Sequence, residues 1–75
     1  MQRYHNVAGD SGVVAYETRP DGILVRFKSG DVYLYTHASA GRKNIVHMKR
    51  LAKTGQGLST FISQHVAERY AAKLP

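Results

Sequence analysis

The sequence predicts an α+β fold: a three-stranded antiparallel meander followed by two helices packed on one sheet face. Three observations lead there. Apolar residues alternate with period two between turn signals as far as Thr36, and from about Ser39 they recur with a helical period. The two connections within the alternating part are short enough to require antiparallel pairing. At 75 residues the chain lies far below the length at which cores divide, so residues 1–75 form one domain whose layers share one core.

Residues 1–12 lack periodicity and contain Asn6, Gly9, Asp10 and Ser11, which reads as a loosely held N-terminal arm. Val13 to Arg19 is rich in β-branched and aromatic residues. It ends in Arg19-Pro20-Asp21-Gly22, a type I turn signal with proline at the second position. Ile23 to Lys28 alternates, with Ile23, Val25 and Phe27 on one face and Leu24, Arg26 and Lys28 on the other. Two registers connect it to Asp31–Thr36. A three-residue loop Lys28-Ser29-Gly30, with Gly30 left-handed, sets Phe27 opposite Asp31, Val25 opposite Tyr33 and Ile23 opposite Tyr35. A two-residue loop turns both tyrosines onto the Arg26 face. The first gathers the aromatics with Ile23, Val25 and Phe27 and is the preferred register.

In the helical part, Ile45, Met48, Leu51 and Ala52 form one stripe and Gly55 supplies the stop, while Gly41 weakens the first turn. Ser59 then serves as N-cap of a second helix running to about Lys73 or Leu74, with Phe61, Ile62, Val66, Tyr70 and Leu74 facing the core. The helices cover one face of the sheet. The other carries Leu24, Arg26, Lys28, Val32 and Leu34, a mixed surface suited to a partner.

The order of these signals resembles the KTSC domain, a short module named for its occurrence at the C-terminus of some lysyl-tRNA synthetases and also found free-standing. The resemblance spans about Ser11 to Val66. It is carried by Ser11 and Tyr16, by Leu24-Val25-Arg26-Phe27 with Gly30, by Val32-Tyr33 and Tyr35, and by Gly55, Leu58 and Ser59. Where that family usually has a glycine followed by two aromatics and an asparagine, this chain has Gly55-Gln56-Gly57-Leu58-Ser59. The resemblance implies an α+β fold and an association with tRNA or translation proteins in some architectures. It implies no catalytic residues.

Charge is where the sequence points towards function. The net charge is +6, and residues 1–35 are balanced: Arg3, Arg19, Arg26 and Lys28 against Asp10, Glu17, Asp21 and Asp31. Beyond Thr36, seven cations (Arg42, Lys43, Lys49, Arg50, Lys53, Arg69 and Lys73) face Glu68 alone. With Ile45 at zero on a helical projection, Lys49, Arg42, Lys53, Arg50 and Lys43 fall at about 40°, 60°, 80°, 140° and 160°, opposite the apolar stripe. A face charged only for solubility normally interleaves acids at i,i+4, and this one has none. The expected partner is therefore a polyanion, RNA or DNA, held through phosphates by Arg42, Lys43, Lys49, Arg50 and Lys53, with Arg26 and Lys28 joining if the ridge adjoins their sheet face. The alternative is an acidic protein or self-association through the mixed face or the strand edges.

Other chemistry is weakly signalled. Tyr33 and Tyr35 read as packing aromatics rather than base-stacking ones. The loop Lys53 to Thr60 offers amides and hydroxyls suited to phosphate but reads more simply as a helix stop and a cap, and it matches neither G-x-G-x-x-G nor the Walker pattern. His5, His37, His47 and His65 are too scattered for a metal site, although His65 falls within the Leu58, Ile62 and Val66 arc and so reads as a partly buried, hydrogen-bonded histidine. With no cysteine and five carboxylates placed mostly near turns, no catalytic set and no cofactor are expected. Without an apolar stretch near the ~20 residues a spanning helix needs or an N-terminal apolar segment, the expectation is a cytoplasmic protein with no membrane contact.

Overall fold

In the computed structural model, which describes residues 1–9 and 11–74, an antiparallel sheet carries a helical layer on one face. Asp10, one of the acids counted above, and Pro75 lie outside the described residues. Five strands are present among those described: β1 (Gln2–Arg3), β2 (Val13–Arg19), β3 (Gly22–Phe27), β4 (Val32–Thr36) and β5 (Ala72–Leu74). They lie side by side in chain order. The helical layer is α1 (His37–Ala40), α2 (Arg42–Thr54) and α3 (Leu58–Phe61), the last running on as a π-helical turn, Ile62–Val66.

The central meander has the three-residue-loop register. Ile23 pairs with Tyr35 and Val25 with Tyr33. The Phe27 and Asp31 positions close the hairpin: the Phe27 N–H donates to the Asp31 carbonyl and the Gly30 N–H to the Phe27 carbonyl, both at 2.9 Å, with Gly30 at φ +94°. Around Pro20-Asp21, Arg19 pairs with Gly22, and a bulge between Val13 and Ala15 lets Val13 stay buried beside Phe27.

The flanking segments differ from the expected pattern. Gln2 and Arg3 add a strand to β2, opposite Tyr16 and Ala15, where the sequence suggested an unpaired arm. Tyr4 anchors this edge: it is 3% exposed, and its hydroxyl accepts the Leu58 N–H at 3.2 Å. The single helix expected from Ser39 is two. Thr36 caps α1 through a reciprocal box, with the Ser39 N–H donating to Thr36 Oγ1 at 3.1 Å and the Thr36 N–H to Ser39 Oγ at 3.0 Å. Gly41, at φ +94° and ψ +139°, then breaks the path before α2 begins. That left-handed extended conformation is open to glycine and strained for other residues.

The second helix expected to reach Lys73 or Leu74 instead stops at Val66. The Ala67 N–H donates back five residues to Ile62, and Ala67 takes φ +39°, so the next turn cannot form. The chain returns along β4, where the Ala71 N–H donates to the Leu34 carbonyl and Ala72, Lys73 and Leu74 pair with Leu34, Tyr33 and Val32. Pairing satisfies a sheet edge that a continued helix would have left open. Tyr70 thus lies against Tyr33, with ring centroids 4.7 Å apart, and not on a helix. Ser59 is the second residue of α3; the capping position is Gly57, with no side-chain bond.

Val13, Tyr16, Ile23, Val25 and Tyr35 from the sheet meet Ile45, Met48 and Ala52 of α2 and Leu58, Phe61, Ile62 and Val66 beyond it. Burying a side chain the size of Ile45 or Met48 contributes about 1.5–3 kcal/mol, and both are fully buried here. That packing holds α2 across the sheet and directs its remaining surface outward.

Candidate nucleic-acid interface

α2 is amphipathic in two senses. Ile45, Met48 and Ala52 are buried against the sheet, while Arg42, Lys43, Arg50 and Lys53 are exposed on the far side. Lys49 occupies the flank nearer the hairpin, half-buried, and its Nζ donates to the Arg19 carbonyl at 2.6 Å. The helix contains no acid. The ion pairs among the described residues lie elsewhere: Glu17 with the Met1 ammonium (4.0 Å) and Arg19 (3.2 Å), and Asp31 with Lys73 (3.8 Å). None of the five α2 cations is therefore neutralised by a carboxylate among the described residues.

Val46 stands in the middle of this ridge, 49% exposed. Arg42, Lys43, Val46, His47 and Arg50 line one shallow depression of the surface; Val46, Lys49, Arg50 and Lys53 line its neighbour. Neither Val46 nor His47 stood out from the sequence, since one is uncharged and the other belongs to a scattered set. Their signal is position: both lie on the half of the helix turned away from the Ile45, Met48 and Ala52 stripe.

Arg26 and Lys28 are not brought to the ridge. α2 packs on the face bearing Ile23 and Val25, and alternation along β3 turns Arg26 to the opposite face, opposite Ala15 and Val32 on its neighbours. Lys28 sits in the β3–β4 turn, with its N–H donating to the Gly12 carbonyl.

The other sequence features resolve as packing. Tyr35 is 2% exposed, its hydroxyl donates to the Ala67 carbonyl at 3.2 Å, and its pKa is pushed up to about 12, mainly by burial, with Tyr33 and Tyr70 adding to it. Tyr33 is half-buried between Phe27 and Tyr70, edge-on to Phe27 at 5.7 Å. His65 is exposed rather than partly buried. Its ring stacks on Phe61 at 4.5 Å, and His47 tilts against the same ring at 4.5 Å.

The loop after α2 stops the helix at Gly55, in the left-handed conformation, with its N–H on the Leu51 carbonyl. A Cβ at Gly55 would come within 2.6 Å of His5 Cβ, and the Gly55 carbonyl accepts the Val7 N–H at 2.8 Å. The loop thereby seats the N-terminal segment. A cleft of about 280 Å³ between the two is lined by Tyr4, Asn6, Ser11, Gln56, Ser59 and their neighbours.

Among the described residues no three His, Cys, Asp or Glu side chains gather closely enough to hold a metal ion, and no helix is long and apolar enough to cross a membrane. No protein-family model, curated protein or solved structure matches the chain. The resemblance to the KTSC domain accordingly rests on the order of the residues given above.

Proposed function

We propose that this chain is a small binding module that contacts the phosphates of RNA or DNA through the outer face of α2, with no catalytic step of its own. One observation carries the reading: Arg42, Lys43, Lys49, Arg50 and Lys53 share one side of a helix, and among the described residues none has a carboxylate partner. Each exposed cation is weak alone, but contacts with a polyanion release condensed counterions and their effects accumulate. A cytoplasmic setting, where ribonucleoproteins are met, fits this role.

The test is retardation of tRNA or duplex DNA by the wild type and by Lys43→Glu with Arg50→Glu. Both residues are exposed and lie outside the core, so the variant keeps its circular dichroism spectrum. Loss of two phosphate contacts and gain of two repulsions is expected to weaken binding by at least about tenfold at moderate salt. Unchanged binding would refute the reading.

A second reading draws on a different observation. On the face away from the helices, half-buried Leu34 and Ala72 adjoin exposed Leu74, with exposed Arg26 on the same face. That surface suits self-association or an acidic protein guided by the cations. A dimer in sedimentation that survives 0.5 M salt, roughly 4 Å in screening length, and that ignores nucleic acid would favour it.

A further inference from the structure

Resting on the phosphate-binding reading, we infer that the polyanion is B-form duplex DNA and that α2 lies in its major groove. The ridge is not a single line of charge. On the helical projection Val46 falls at about 100°, with Lys49, Arg42 and Lys53 at about 40–80° on one side and Arg50 and Lys43 at about 140–160° on the other. Two cationic rows thus bracket an exposed apolar residue.

A groove asks for that arrangement. Its two walls are phosphate backbones, and its floor in B-DNA presents base edges that include the thymine methyl, an apolar contact for Val46. With side chains a helix is about 10–12 Å across, which suits a major groove about 12 Å wide and is too broad for a minor groove of about 6 Å. In A-form RNA the major groove is too narrow and deep for side chains to read. A single strand offers one backbone, leaving one row idle, and would be held by aromatic stacking. The ridge centre is Val46, and the nearby phenyl ring of Phe61, which His47 and His65 cover, is buried. The free faces therefore match a DNA duplex better than the other forms.

Fluorescence anisotropy on a 20-base-pair DNA duplex, an RNA duplex of the same sequence and the single DNA strand tests the inference, with dimethyl sulfate probing of guanine N7, an atom of the major-groove edge. The DNA duplex is expected to bind about tenfold or more tightly than the other two, with guanine N7 shielded. Val46→Glu is expected to lower duplex affinity by about tenfold more than Gln64→Glu, the same charge change at an exposed site on another element. Equal affinity for the two duplexes, or an unshielded N7, would overturn the groove placement and leave the phosphate ridge standing. No binding to any nucleic acid would overturn both.

Discussion

The Tyr35 hydroxyl reports on the core from inside it. Burial first, with Tyr33 and Tyr70 adding to it, disfavours the phenolate, so the folded protein keeps the proton until about pH 12. The unfolded chain releases it near the ordinary value of about 10. The folded state therefore binds the extra proton between those values, and stability present in full below about pH 10 is lost as pH rises towards 12, on the order of 2–3 kcal/mol in all. Urea midpoints measured from pH 8 to 12 are expected to fall through that window, and Tyr35→Phe is expected to flatten the fall. At pH 8 the same substitution costs about 1 kcal/mol, because the Ala67 carbonyl loses its donor. That Tyr35 packs was legible from its register with Ile23. That Tyr4 packs was not, because a lone aromatic in a polar run has no period to betray it, and its partner, the Leu58 N–H, is far away in the chain.

Among the elements, Gly41 decides how the helical layer is divided. Its φ of +94° ends α1 and starts α2, and a Cβ there would meet only Asn44 Nδ2, at 3.9 Å. The cost of Gly41→Ala is thus conformational rather than steric, about 1–3 kcal/mol, readable as a lower urea midpoint with the basic ridge left intact. The Ile45, Met48 and Ala52 stripe was legible because it repeats with the helix period, and the cations opposite it followed. The length of the last helix was misleading. Ala67, Glu68, Arg69, Ala71 and Lys73 suit a helix locally, yet pairing of residues 72–74 with β4 takes them into the sheet, a long-range gain that local pattern cannot register. Alternation did place Arg26 on the face away from the helices, where it lies; what it could not give is whether the cationic ridge would adjoin that face, since that depends on how α2 packs.

Over the whole molecule, charge is sorted by layer. Glu17 and Asp31 pair with cations of the sheet and its termini, and the helical side keeps its excess. Four or five phosphate contacts predict a slope of about −4 in log affinity against log salt for duplex DNA. Arg26→Glu, on the opposite face, is expected to move both affinity and slope less than Arg50→Glu, as measured by titration at several salt concentrations. Comparable effects from the two would mean that overall charge, and not the ridge, governs binding.

Strand order equal to chain order also has a kinetic meaning. The turns at Pro20-Asp21 and Lys28-Ser29-Gly30 bring β2, β3 and β4 together through loops that close in well under a millisecond, with little chain entropy spent on distant encounters. β5 is separated from β4 by the whole helical layer, so closing that seam carries the larger loop entropy, and Tyr70 against Tyr33 is expected to form after the central ribbon, with φ-values near zero for substitutions there.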